Sequence, residues 1–133
     1  MKTILAVLLL SATAPIRTEK LVFSAEYKNI IALTRIECAV VNPMDPKLLF
    51  KLDDIKDLPS REILKCHSLC MIKKLNLLND DNIMELDKLM QLFSSPSLLI
   101  KVPASYAKCQ LNLKSIQTCN DGYDVQQCLL YNV

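Results

Sequence analysis

Six cysteines, Cys38, Cys66, Cys70, Cys109, Cys119 and Cys128, share a chain of 133 residues with a single glycine, Gly122. No other feature narrows the fold as much. An even number of cysteines in a short exported chain points to three disulfides. Cross-linked folds of loops and short strands need many glycines for their tight turns. With only one, the scaffold is expected to be all-α: a compact domain of about six helices held by covalent bridges.

Export is read from the first residues. MKTILAVLLLSATA, residues 1–14, places Lys2 before an apolar run from Ile4 to Leu10 and then small residues, the order of a secretory signal peptide. The run is too short to span a bilayer, and no second long apolar segment follows, so no stable membrane insertion is expected. A retained amphipathic helix is the alternative, but the run has no polar face. Ala12 and Ala14 fit the cleavage pattern, although Pro15 is a poor neighbour for the cut. The mature start is placed within about Ala12 to Lys20, leaving residues 15–133 as one domain. The net charge of +2 comes from 16 basic and 14 acidic residues spread along the chain, with few aromatics, so nucleic acid is not an expected partner.

Leucine, lysine, glutamate and alanine recur at helical spacing between proline or asparagine and aspartate clusters. The first helix is expected from near Glu19 to Val40, with Leu21, Tyr27, Ile30, Ile31, Leu33, Thr34 and Cys38 near one face, ended by Asn42 to Pro46. A short helix follows over about Lys47 to Ile55. Ser60 then opens a helix with Glu62 in its first turn, where a carboxylate suits the dipole, ending near Lys73 or Leu75. Asn79, Asp80, Asp81 and Asn82 lack the glycine and closing glutamate of an EF-hand and read as a turn. Further helices are expected over Met84 to Phe93, from Pro103 through Tyr106 and Cys109, and over Ile116 to Leu130, with a break at Ser94 to Ser97.

The stretch KCHSLCMIKK, Lys65 to Lys74, carries two of the cysteines around His67. Cys66 and Cys70, four apart on a helix, point the same way and suit a mutual bridge poorly, so each should pair with a different helix. Cys119 and Cys128, nine apart, lie on opposite sides of theirs. Six cysteines allow fifteen connectivities, and these constraints remove only some.

The intervals between the cysteines are 27, 3, 38, 9 and 8 residues. Together with the leader and the helical composition, this spacing resembles that of insect odorant-binding proteins, over essentially the whole mature chain. The gaps of three and eight are its most specific part. Tyr123, between Cys119 and Cys128, stands where members of that family often carry an aromatic. The resemblance implies an interlocked pairing of Cys38 with Cys70, Cys66 with Cys119, and Cys109 with Cys128, and that pairing is compatible with both geometric constraints.

It further implies a secreted carrier that encloses a small hydrophobic ligand, an odorant, pheromone or lipid-like molecule, between its helices, with a membrane receptor as a further candidate partner and the chain a monomer or weak homodimer. By the family's use of its helices, the lining is expected to include Leu33, then Leu86, Leu89, Met90 and Phe93, then Leu98, Tyr106, Leu113 and Ile116, and finally Tyr123 and Leu130. An ordinary core position is the competing reading of each. Tyr106 and Tyr123 are the polar candidates, since a buried phenol seeks a hydrogen-bond partner. With no tryptophan and 3 phenylalanines, the lining suits aliphatic or compact alicyclic ligands. Only Leu129 to Val133 follow the last cysteine, too few for the long terminal helix that some moth pheromone carriers insert into their own cavity.

His67, the only histidine, reads as a solvent-facing neighbour of a disulfide rather than a pH sensor. Secreted phospholipases place a catalytic histidine among helical cysteines, but their motif has aspartate where this chain has Ser68, and the glycine-rich calcium loop is missing. Two cysteines and a histidine leave a zinc site incomplete, and a thioredoxin motif has two intervening residues where this chain has three. No catalytic residue, cofactor or metal is assigned. The competing function keeps the fold but places it in venom, saliva, haemolymph or reproductive fluid, as a carrier or a macromolecule-binding protein.

Overall fold

The computed structural model describes residues 21–54 and 58–131; the expected signal peptide and cleavage region lie outside the described residues. Among the described residues there are five α-helices and two short 3₁₀ helices, and no strand beyond isolated bridges. Helix α1, Ala25–Val41, starts later than Glu19 because the chain before it is extended: Phe23 pairs with Phe93 in an antiparallel bridge, and the Ser24 N–H donates to the Leu92 carbonyl at 2.8 Å. A 3₁₀ helix, Pro46–Lys51, follows, with the Asp45 carboxylate accepting from the Lys47 N–H. Helix α2, Arg61–Lys74, has Ser60 at its N-cap, where the carbonyl, not the hydroxyl, takes up the Ile63 and Leu64 N–H groups.

Helix α3, Leu86–Met90, is shorter than expected. The bridge between Leu78 and Met84, with a bond from the Glu85 N–H to the Leu77 carbonyl, keeps the preceding residues extended. Helix α4, Pro96–Cys109, corrects the expectation that a helix begins at Pro103: it begins at Pro96 and carries Pro103 in its interior. An internal proline costs about 3 kcal/mol. Against that, α4 buries Leu98, Val102 and Ser105 along one face, and each large apolar side chain contributes roughly 1.5–3 kcal/mol. The carbonyl that Pro103 leaves without its helical donor belongs to Leu99, on the exposed side.

A second 3₁₀ helix, Leu111–Leu113, leads to α5, Cys119–Tyr131. The start at Cys119 rather than Ile116 has a local cause. The Ile116 N–H is committed to the Asn82 carbonyl at 2.8 Å, and Thr118 and Asp121 form a reciprocal cap, each side chain accepting from the other's backbone N–H. The N–H groups of Thr118 and Gln117 on the Asp121 carboxylate hold its pKa below the usual value.

Ile31, Ile72, Leu77, Met84, Leu89, Leu92, Leu98, Val102, Leu111, Ile116 and Val125 form one core drawn from α1 to α5 and the connections between them. Cys38 of α1 is bonded to Cys70 of α2, Cys66 of α2 to Cys119 of α5, and Cys109 of α4 to Cys128 of α5. Helices α2 and α5, each tied twice, also share the most extensive contact in the fold. Gly122 explains how they come so close: a Cβ there would lie 2.9 Å from the backbone of Leu69. The single glycine serves helix packing rather than a turn.

Two stability predictions follow from the cross-links and the crossing. Replacing Cys66 and Cys119 by serine opens a loop with a separation of 53 residues and should cost about 4 kcal/mol, whereas replacing Cys109 and Cys128, separated by 19, should cost about 3 kcal/mol, both read by urea unfolding of the unreduced protein. Gly122→Ala should destabilise by about 1–3 kcal/mol, because the methyl group forces two cross-linked helices apart.

Candidate functional site

Where α2, α4 and α5 converge, the side chains leave a predominantly apolar cavity of about 160 Å³. Its walls come from every α-helix, and each contributing segment is held in place by a local device. On α2 the lining residues are His67, Ser68, Met71 and Ile72, spaced so that they share one face. Val125, Gln126 and Leu129 do the same on α5, and Val102 enters from α4.

The end of α2 shows how a loop residue is aimed at this space. Asn76 adopts a left-handed conformation at φ 55°, the Asn76 N–H donates to the Lys73 carbonyl, and the Leu77 N–H donates back to Ile72 at 3.2 Å. This double closure brings the buried side chains of Ile72 and Leu77 together, and both line the cavity. Asn79 then makes the expected turn, its side-chain oxygen accepting from the N–H groups of Asp81 and Ile83. Met84, which follows, is pinned by the Tyr106 hydroxyl donating to its carbonyl at 2.7 Å.

On the opposite side, the extended segment from Leu21 to Ser24 closes against α3 and the residues after it. The rings of Phe23 and Phe93 stack with centroids 5.7 Å apart, the Leu21 N–H donates to the Asp53 carbonyl, and the Tyr27 hydroxyl reaches the Gln91 side chain. Arg35 lies over Phe23 and forms a 2.6 Å ion pair with Asp53. Leu21, Arg35, Leu52, Leu89 and Phe93 complete the lining.

One group in this wall departs from the expectation for it. His67 is 2% exposed, not solvent-facing, and neither ring nitrogen has a hydrogen-bond partner among the described residues. Burial, reinforced by the positive charge of Arg35, lowers its pKa from 6.5 to about 4, so the imidazole is neutral near pH 7. Beside it, the Ser68 hydroxyl is hydrogen-bonded to the Gln126 side-chain oxygen.

Of the side chains expected at the ligand, Leu89 and Phe93 line the cavity. Leu86 and Tyr106 line a second, more open depression of mixed polarity beside Asn79 and Asn112. Leu98 and Ile116 are buried in the core, with Met90 packed against it. Leu33 and Leu113 are 62% and 76% exposed, because α1 turns Ile31, Thr34 and Cys38 inward and the second 3₁₀ helix buries Leu111 instead. Tyr123 faces away, its ring 4.4 Å from the Arg61 guanidinium carbon, and the side chain of Leu130 lies outside the described residues. The other lining residues were not anticipated from the sequence, and the largest group of them, His67, Ser68, Met71 and Ile72, is on α2. With the buried Leu64 they fall at helical spacing on one face, a periodicity that the prominence of the flanking cysteines obscures.

The unfolded chain takes up a proton at His67 near pH 6.5, while the folded chain resists it until about pH 4. Stability that is present above this interval should therefore fall as the pH is lowered through it. Thermal unfolding followed by circular dichroism from pH 7 to 4 should show the decline, and His67→Leu should flatten it.

A model of the PBP/GOBP family matches residues 22–132, and no curated protein matches the chain. The matched region runs from the extended segment before α1 through the last helix and takes in all six cysteines and the whole cavity lining but Leu21. The chain therefore belongs to the PBP/GOBP family, a family of odorant- and pheromone-binding carriers.

Proposed function

We propose that this protein is a secreted carrier that takes one small apolar molecule into the cavity between α2, α4 and α5 and moves it through aqueous extracellular fluid. On this reading residues 1–14 direct export and are removed, and residues 15–133 act as a single domain. The observation that carries the proposal is the cavity itself, apolar over most of its wall and built at the meeting of helices that three disulfides hold in place. Transfer of apolar ligand surface out of water supplies affinity at about 25 cal/mol per Å². An apolar cavity of roughly 150 Å³ accepts a benzene-sized molecule. A volume of about 160 Å³ therefore suits a ligand built around one ring or a short chain.

The step is binding and release, with no bond made or broken. Leu89 and Phe93 are proposed as direct ligand contacts, together with Met71, Ile72, Met84 and Val102, which share the wall with them. Displacement of a small apolar fluorescent probe tests the reading. Val102→Phe places a ring in the cavity and should weaken probe binding by about tenfold or more while the protein stays folded, since a cavity-filling apolar side chain replaces a void rather than packed atoms. Unchanged binding in that variant places the ligand elsewhere.

A further inference from the structure

We propose that His67 is the polar anchor of the ligand, and that the ligand is a compact apolar molecule with one neutral oxygen, an alcohol foremost, which hydrogen-bonds to the imidazole inside the cavity. This deepens the carrier reading and rests on it.

The first ground is the imidazole's isolation. A buried polar group left without a partner costs about 1–3 kcal/mol, and native proteins hold few of them. Among the described residues the buried side-chain atoms without one belong to His67, Ser105 and Gln127, and of these only His67 lines the cavity. His67 sits in a wall otherwise made of Leu, Ile, Val, Met and Phe side chains, apart from Arg35, Ser68 and Gln126.

The second ground is the contrast with those three neighbours. The Ser68 hydroxyl donates to the Gln126 side-chain oxygen and an Arg35 N–H to Asp53, so each has a protein partner. In the imidazole both ring nitrogens lack a partner among the described residues, and it is the polar group in the wall that gains most from a ligand hydrogen bond.

The third ground is chemical match. His67 is neutral near pH 7, and a neutral imidazole offers one N–H donor and one bare nitrogen acceptor. A hydroxyl can complement either nitrogen, and a ketone or ester only the N–H. An ammonium group is repelled by the nearby Arg35 charge. A carboxylate must leave water for an apolar space where the nearest cation is already paired. Cavity volume sets the remaining limit, favouring one ring or a short chain over a long acyl tail.

The test uses two ligands of nearly the same shape, cyclohexylmethanol and ethylcyclohexane, which differ by a hydroxyl in place of a methyl. His67→Leu should weaken the alcohol relative to the hydrocarbon by about tenfold, and His67→Gln, which keeps a donor and an acceptor, should restore part of the difference. An equal effect on both ligands overturns the anchor. So does cyclohexanecarboxylate binding as tightly as the alcohol to the unsubstituted protein, because it assigns the site to an anion. Since His67 is the only histidine, nitrogen-15 spectra of the unsubstituted mature protein give a readout independent of any variant's folding. Its imidazole resonances should shift with the alcohol and stay nearly fixed with the hydrocarbon, and the absence of that difference overturns the proposal. Binding of the hydrocarbon without an alcohol-specific response removes the anchor and leaves the carrier. Failure of every ligand to bind removes both.

Discussion

The pair of disulfides that leave α2 in two directions is the constraint on which this fold depends. Cys70 ties the helix to α1 and Cys66 ties it to α5, while Cys109 and Cys128 fix α5 to the end of α4. A small helical domain has little core to stabilise it, and a void in that core subtracts further. Covalent closure acts on the unfolded chain instead, so its contribution does not require every interior volume to be filled. A cavity of about 160 Å³ can therefore persist in a domain this small.

The same helix carries both the staples and the cavity wall, on different sides. The Gly122 crossing brings the α5 backbone against Leu69, and along the same pair of helices Ser68 and Met71 on α2 with Val125 and Leu129 on α5 line the cavity. Close packing at one point and a void beside it are products of one arrangement. The extended Leu21 to Ser24 segment, held by Asp53, Gln91 and Leu92, closes the far wall with backbone bonds and a phenylalanine stack rather than with another helix.

Much of this was legible in the residues. Cysteine spacing together with glycine poverty pointed to a cross-linked helical domain, and the sequence punctuation marked the C-terminal end of α1 and both ends of α2 to within a residue or two, although not the start of α1. Pro103 misled because propensity is local, whereas the burial of Leu98 and Val102 that holds α4 together is tertiary. The late start of α5 was written in Thr118 and Asp121, a cap signature three residues apart that the apolar pattern around Ile116 overshadowed. For the site, side-chain direction was the information that spacing could not supply. Leu33 and Ile36 carry the apolar character of α1 outward, to 62% and 55% exposure, while a histidine points in. Polarity alone was a poor guide to facing here.

The central claim is that this interior exists to hold a small molecule. Native mass spectrometry of protein isolated gently from its source, unreduced and never unfolded, measures that directly. The account predicts one small neutral organic molecule per folded chain, absent after acid denaturation and bearing a single oxygen function on an apolar frame. A chain that is always found empty, and that remains empty when offered compact apolar alcohols in excess, contradicts it.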